Sequence, residues 1–170
     1  MPPIRFVQLA AELGCQRIAV ANLDKDPQRA IDGLGGLAEI AADREIEVSV
    51  EIGSMRAAFR LDRAIALARA VSMPNFALLI DTMHFFRLGS SLADLATVDP
   101  ALIGYVQLCD VPLTQQFESY IDEALHERMA PGDGDWLVIS CLSFTSTRAN
   151  WNDRAWVVAA ILIAVSDPRP

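Results

Sequence analysis

FRLDRAIALARAVSMPNFALLID, residues 59–81, decides the fold. Apolar residues recur at a period near 3.6 up to Val71, Pro74 and Asn75 break the pattern, and FALLI then reads as a short apolar strand that ends on the carboxylate of Asp81. The unit is helix, turn, strand, and it repeats on both sides. Upstream, IRFVQLAAEL (4–13) has helical spacing, stops at Gly14, and is followed by the strand-like RIAVAN. Asp26 and Pro27 supply an N-cap and a first-turn proline for a helix running to about Arg44, weakened in its middle by Gly33, Gly35 and Gly36. EVSV then leads to Glu51. Downstream, Ser91 caps SLADLATV, with Asp94 in its first turn, and Asp99-Pro100 leads into IGYVQLC, which contains Gln107 and is followed by Asp110. Residues 115–128 read as a helix before a loop containing Pro131, Gly132 and Gly134.

Strands apolar on both faces, alternating with helices at intervals of about 30 residues, are the pattern of parallel βαβ units, so the class is α/β. Four strands are clear, and WLVISCLSF from Trp136 onward is a possible fifth. A closed eight-stranded barrel takes about 250 residues, so the alternatives are a partial barrel or an open doubly wound sheet. In either, strand ends of one kind share a face. Glu51, Asp81, Gln107 and Asp110 therefore converge there.

A chain of 170 residues, 52% of them hydrophobic and 21% charged, fits one globular domain. The net charge of -8 and pI near 4.6 are wrong for a nucleic-acid surface, which needs a basic stripe. The apolar run 155–165 is too short to span a bilayer, and the N-terminus lacks a signal peptide's apolar region, so the reading is cytoplasmic, with no membrane partner. Cys15, Cys109 and Cys141 lie in or beside apolar runs without CxxC spacing and read as buried reduced thiols. Barrel-like units over 4–135 give way to an atypical tail over 136–170, which holds all three tryptophans and no glutamate. The GDG of PGDGD lacks the pattern and the lysine of a phosphate loop.

LLIDTMHFFRLGSSLADLATVDPALIGYVQLCDVPL (78–113), with EALHERMAPGDGD (123–135), resembles the sugar phosphate isomerase/epimerase family, whose members have the xylose-isomerase-like (β/α)8 barrel. The resemblance implies about five βα units of such a barrel, with the first two units absent. It implies a divalent metal held by Glu51, Asp81 and Gln107. With these oxygen donors, Mg²⁺ or Mn²⁺ is favoured over Zn²⁺.

It also implies proton abstraction next to a carbonyl with enediolate stabilisation by the metal, Glu51 and His84 being catalytic. Arg87, Asp110 and Arg128 would bind a small sugar, cyclitol or hydroxy-keto acid. The family includes 3-dehydroshikimate and inosose dehydratases, so a lyase is an alternative.

Each residue also has a plainer reading. Asp81 or Glu51 alone could be an N-cap, Asp110 could cap the next segment, His84 could be a core histidine, and the arginines could be ordinary ion-pair partners. His126 reads as exposed. The family's final glutamate ligand has no counterpart, since Asp153 and Asp167 are the only carboxylates in that region. A catalytically inactive truncated relative acting as a subunit is therefore a further alternative. Unpaired strand edges in such a fragment favour a homo-oligomer.

Overall fold

The computed structural model describes residues 2–53 and 60–136. In chain order these form α1 (Pro3–Glu12), β1 (Arg17–Ala21), α2 (Pro27–Ala42), β2 (Glu47–Glu51), α3 (Leu61–Val71), β3 (Phe76–Asp81), α4 (Thr82–Arg87), α5 (Leu92–Ala96), β4 (Ile103–Gln107) and α6 (Tyr120–His126), with a 3₁₀ turn at Pro100–Leu102. The expected capping signals operate. Asp26 accepts from Arg29 N, Ser91 and Asp94 form a reciprocal capping box, and Asp99 accepts from Ala101 N. The three glycines of α2 do not interrupt it.

All four strands are parallel, in the order β1-β2-β3-β4. A doubly wound sheet reverses its strand order at a switch point, whereas a barrel adds each strand beside the previous one. Sequential order therefore selects the partial barrel, and the described strands do not close. The possible strand over WLVISCLSF, Cys141, Asp153 and Asp167 lie outside the described residues, apart from Trp136 at its edge.

Register separates the two faces of the sheet. Ile18, Val20, Val48, Val50, Leu78 and Ile80 point to one side and join Phe6, Leu34, Leu37, Ala38, Ala64 and Leu67 of the helices in a continuous core. The alternate positions form the other face, and it is largely polar: Arg17, Glu47, Ser49, Glu51, Asp81, Tyr105 and Gln107. At its lower end Arg17 is buried, pairs with Glu47 at 2.6 Å and lies 5.1 Å from the Tyr105 ring centre. Its upper end, at the C-terminal strand ends, carries Glu51, Asp81 and Gln107.

One element departs from the sequence reading. The helix expected over 115–128 is confined to Tyr120–His126, because Ser119 caps it by accepting from Asp122 N. Before it, the Gln115 and Gln116 amides bond to the carbonyls of Phe117 and Thr114 in a non-helical turn.

Candidate functional site

Asp81 ends β3 with its carboxylate fully buried, and its plainer reading, as the N-cap of α4, holds. Its Oδ1 accepts from His84 N at 3.1 Å, which caps α4. Its Oδ2 faces away from the cap and accepts from Arg128 at 2.5 Å. The short helix begun by that cap turns His84 inward, beside Asp81 and over Gly53. A Cβ on Gly53, whose φ is +92, would lie 2.3 Å from His84 Cβ, so the β2 turn admits only glycine if the imidazole is to sit there.

Glu51 at the end of β2 completes the group. Donor atoms of Glu51, Asp81 and His84 lie within 4.8 Å of one another, and Glu51 Oε1 is 3.8 Å from His84 Nε2. Burial first, and the Asp81 charge second, push the Glu51 carboxyl up to about 7. Burial likewise holds His84 below the ordinary histidine value, so its ring is neutral at neutral pH. Gln107 is paired with Asp81 in the β3–β4 register and shares its face of the sheet.

Two residues that the sequence reading did not place at the site complete the surroundings. Tyr120, the first residue of α6, hydrogen-bonds His84 Nδ1 through its hydroxyl, and burial raises its own pKa, so it stays protonated. Cys109, a buried thiol, lies 3.1 Å from Arg128 NH1 and 3.7 Å from Asp81 Oδ1. Arg128 thus reaches two members of the group, Asp81 and His84, as well as Cys109, its guanidinium lying 3.4 Å from His84 Nε2.

The other two expected substrate residues are engaged elsewhere. Arg87 has a side chain only 8% exposed, which donates twice to Glu123 of α6 at 2.9 and 2.6 Å and donates to the carbonyls of Leu113 and Pro112. It ties α6 and the 112–113 segment to α4 and does not enter the site. Asp110, fully buried, accepts from the backbone N–H groups of Val111, Gly132 and Trp136, and its own backbone pairs with that of Met129. Its carboxylate is the core around which PGDGD folds, and a Cβ on Gly134 would lie 2.4 Å from its Oδ1. Asp110→Ala strands one buried and two part-buried backbone donors and is expected to lower the urea-unfolding free energy by about 1–3 kcal/mol. A loss below about 0.5 kcal/mol would deny it this role. His126 is exposed, as expected.

The donor chemistry suits a divalent cation. Two carboxylates and an imidazole, with an amide on the same face, are ligand types for Mg²⁺, Mn²⁺ or Zn²⁺. Ligands on one ion, at bond lengths of about 2.0–2.3 Å, are at most about 4.6 Å apart. The three donor atoms, all within 4.8 Å of one another, are clustered at close to this scale.

The family model of the xylose isomerase-like TIM barrel matches residues 4–147. Among solved structures, the chain superposes on the IolI protein with a bound zinc atom at a TM-score of 0.72, with 19% identity over 93% of this chain and 58% of that one. On D-psicose 3-epimerase, determined in the presence of D-fructose, the TM-score is 0.55, with 20% identity over 68% of this chain and 47% of that one. On the probable 3-DHS dehydratase AsbF from Bacillus anthracis the TM-score is 0.55, with 17% identity, covering 65% of this chain and 43% of that one. The chain thus spans less than two thirds of the length of these structures. A search of curated proteins found no match. No described helix is long and apolar enough to cross a membrane.

Proposed function

Because the chain belongs to the xylose isomerase-like TIM barrel family, we propose that it is a metal-dependent sugar or sugar-phosphate isomerase or epimerase that removes a proton next to a carbonyl. The observation that carries this reading is the convergence of Glu51, Asp81 and His84 within 4.8 Å at the C-terminal strand ends. Glu51, Asp81 and Gln107 would hold the ion, with His84 a further donor or the proton relay. When bound there, a divalent ion supplies a Lewis acid that polarises a carbonyl and stabilises developing negative charge.

The chain's own groups supply the rest. A carboxyl poised at about 7, as Glu51 is, both takes and returns a proton near neutral pH. His84 is fixed by Tyr120 on one nitrogen and turns the other toward Glu51, a geometry suited to passing a proton to a substrate oxygen. Arg128 brings a cation to the same mouth, able to bind an anionic or polyhydroxylated substrate group. The placements of Arg87 and Asp110 leave them outside this set.

The oxygen donors favour Mg²⁺ or Mn²⁺, whereas the imidazole would suit zinc, the metal named for the IolI structure. The likeness to a 3-DHS dehydratase supports a second outcome from the same proton removal, in which water is then lost.

Calorimetric titration with Mn²⁺ tests the reading. One ion per chain is expected, with affinity reduced by at least about 100-fold in Asp81→Ala. An absence of heat from the wild type, or an unchanged isotherm in the variant, would overturn it. Metal-dependent exchange of substrate carbon-bound hydrogen with D₂O, followed by NMR over a panel of ketoses, cyclitols and hydroxy-keto acids, then identifies the substrate class.

A further inference from the structure

Both Asp81 oxygens already have partners, and the one turned away from the helix cap is held by a side chain. Oδ1 is committed to the α4 cap through His84 N, with the Cys109 thiol 3.7 Å away. Oδ2 receives the Arg128 guanidinium at 2.5 Å, and the same group reaches Cys109 Sγ at 3.1 Å and His84 Nε2 at 3.4 Å. The guanidinium is thus lodged among the groups that would hold the metal. It carries the one cationic side chain that contacts Asp81 among the described residues.

We propose that Arg128 is the internal counter-cation of the metal-free site, and that a divalent ion and this guanidinium hold Asp81 in alternation. The inference rests on the metal-binding reading above and specifies what the ion must displace. An ion about 2.1–2.3 Å from Oδ2 would stand within a few ångströms of a guanidinium nitrogen that is itself 2.5 Å from that oxygen. Two like charges at that spacing in a poorly hydrated mouth repel strongly. Two positive charges on the ion against one on the arginine decide the exchange once the ion is abundant.

The exchange requires little of the backbone. Met129 is pinned by paired hydrogen bonds to Asp110, N to O at 2.8 Å and O from N at 2.9 Å, and α6 ends at His126. Between these anchors the Arg128 side chain is held by its tip and by one bond from Nε to the Ala124 carbonyl at 2.7 Å. With 31% of that side chain exposed against 0% for Asp81, the guanidinium has a way out to solvent, where a rotamer change suffices. Once off Asp81 it is a free cation at the mouth of the site, so the metal-bound protein presents to an anionic substrate group an arginine that the metal-free protein keeps internally paired.

Two measurements on the full chain test this. Mn²⁺ is titrated by calorimetry into wild type and Arg128→Met, which keeps the aliphatic stem and removes the charge. At least about a 10-fold tighter Kd is expected in the variant, since the ion no longer competes with an internal cation. If the wild type binds Mn²⁺ and the variant binds it equally or more weakly, this inference fails and the metal reading stands. If neither protein binds Mn²⁺, the metal reading fails and this inference goes with it.

The second measurement keeps the wild-type sequence and so does not depend on the variant folding. Arg128 is labelled with an arginine-specific dicarbonyl reagent with and without Mn²⁺, and the label is quantified by peptide mapping. Several-fold faster labelling with Mn²⁺ is expected, and protection or an unchanged rate overturns the proposal.

Discussion

Arg87→Met is expected to lower the unfolding free energy by about 3–5 kcal/mol, measured by urea denaturation. The two partners are 8% and 1% exposed at their side chains, so the Arg87–Glu123 pair is almost wholly out of water. Taking charges that deep is unfavourable and is offset here by two short bonds between the partners and by donation to the carbonyls of Pro112 and Leu113. Removing the arginine leaves Glu123 charged, buried and unpaired, and frees two backbone acceptors as well. Glu123→Gln keeps the shape and an acceptor and should lose less, and the double variant Arg87→Met with Glu123→Leu should regain much of the single-variant loss, because no buried charge remains. The site also depends on this pair, because α6 carries Tyr120 against His84 and ends just before Arg128. An Arg87→Met protein with an unchanged urea midpoint would show that the arginine is spare and return it to the candidates for binding substrate.

The sequence made one layer of this architecture legible and hid another. Helix and strand positions were readable because period, caps and breakers act within a few residues: Asp26 before Pro27, the Ser91–Asp94 box, and the break before Phe76. The strand-end carboxylates were readable for the same reason, since a polar residue closing an apolar run stands out. What stayed hidden depends on pairs 36 and 47 positions apart: Tyr120 on His84, Glu123 on Arg87, and Arg128 on Asp81. No local pattern encodes such pairs.

Asp110 shows the cost of this directly. As a carboxylate after a strand it reads like Asp81, yet it lies where the chain folds back, and three backbone N–H groups of the neighbouring segment and the returning loop use up its oxygens. Asp81 and Asp110 differ in what packs over them, and that is a property of the tertiary fold.

Glu51→Gln is expected to stabilise the metal-free protein above neutral pH and to leave it nearly unchanged in mild acid. The Glu51 carboxyl is raised from 4.5 to about 7 by burial and by Asp81. Below about 4.5 this group is protonated in both folded and unfolded chains and costs nothing. Between that value and about 7, the unfolded chain ionises while the folded one holds its proton, so stability falls with rising pH. Above about 7 the full cost is present, on the order of 3 kcal/mol for such a shift.

Glutamine carries no charge to desolvate, so the difference between variant and wild type in urea unfolding should open between pH 4.5 and 7 and then level off. A divalent ion should reverse the order, because it stabilises the ionised glutamate and gains less from the amide. With Mn²⁺ at pH 8 the wild type should therefore unfold at the higher urea concentration. A difference between the two proteins that does not change from pH 4.5 to pH 8 would show that Glu51 titrates normally and is not poised to move a proton. The instability expected of the protein without metal is thus the same property that would make the site reactive when loaded, since a carboxylate short of water and close to Asp81 is a base held ready for a proton or a cation.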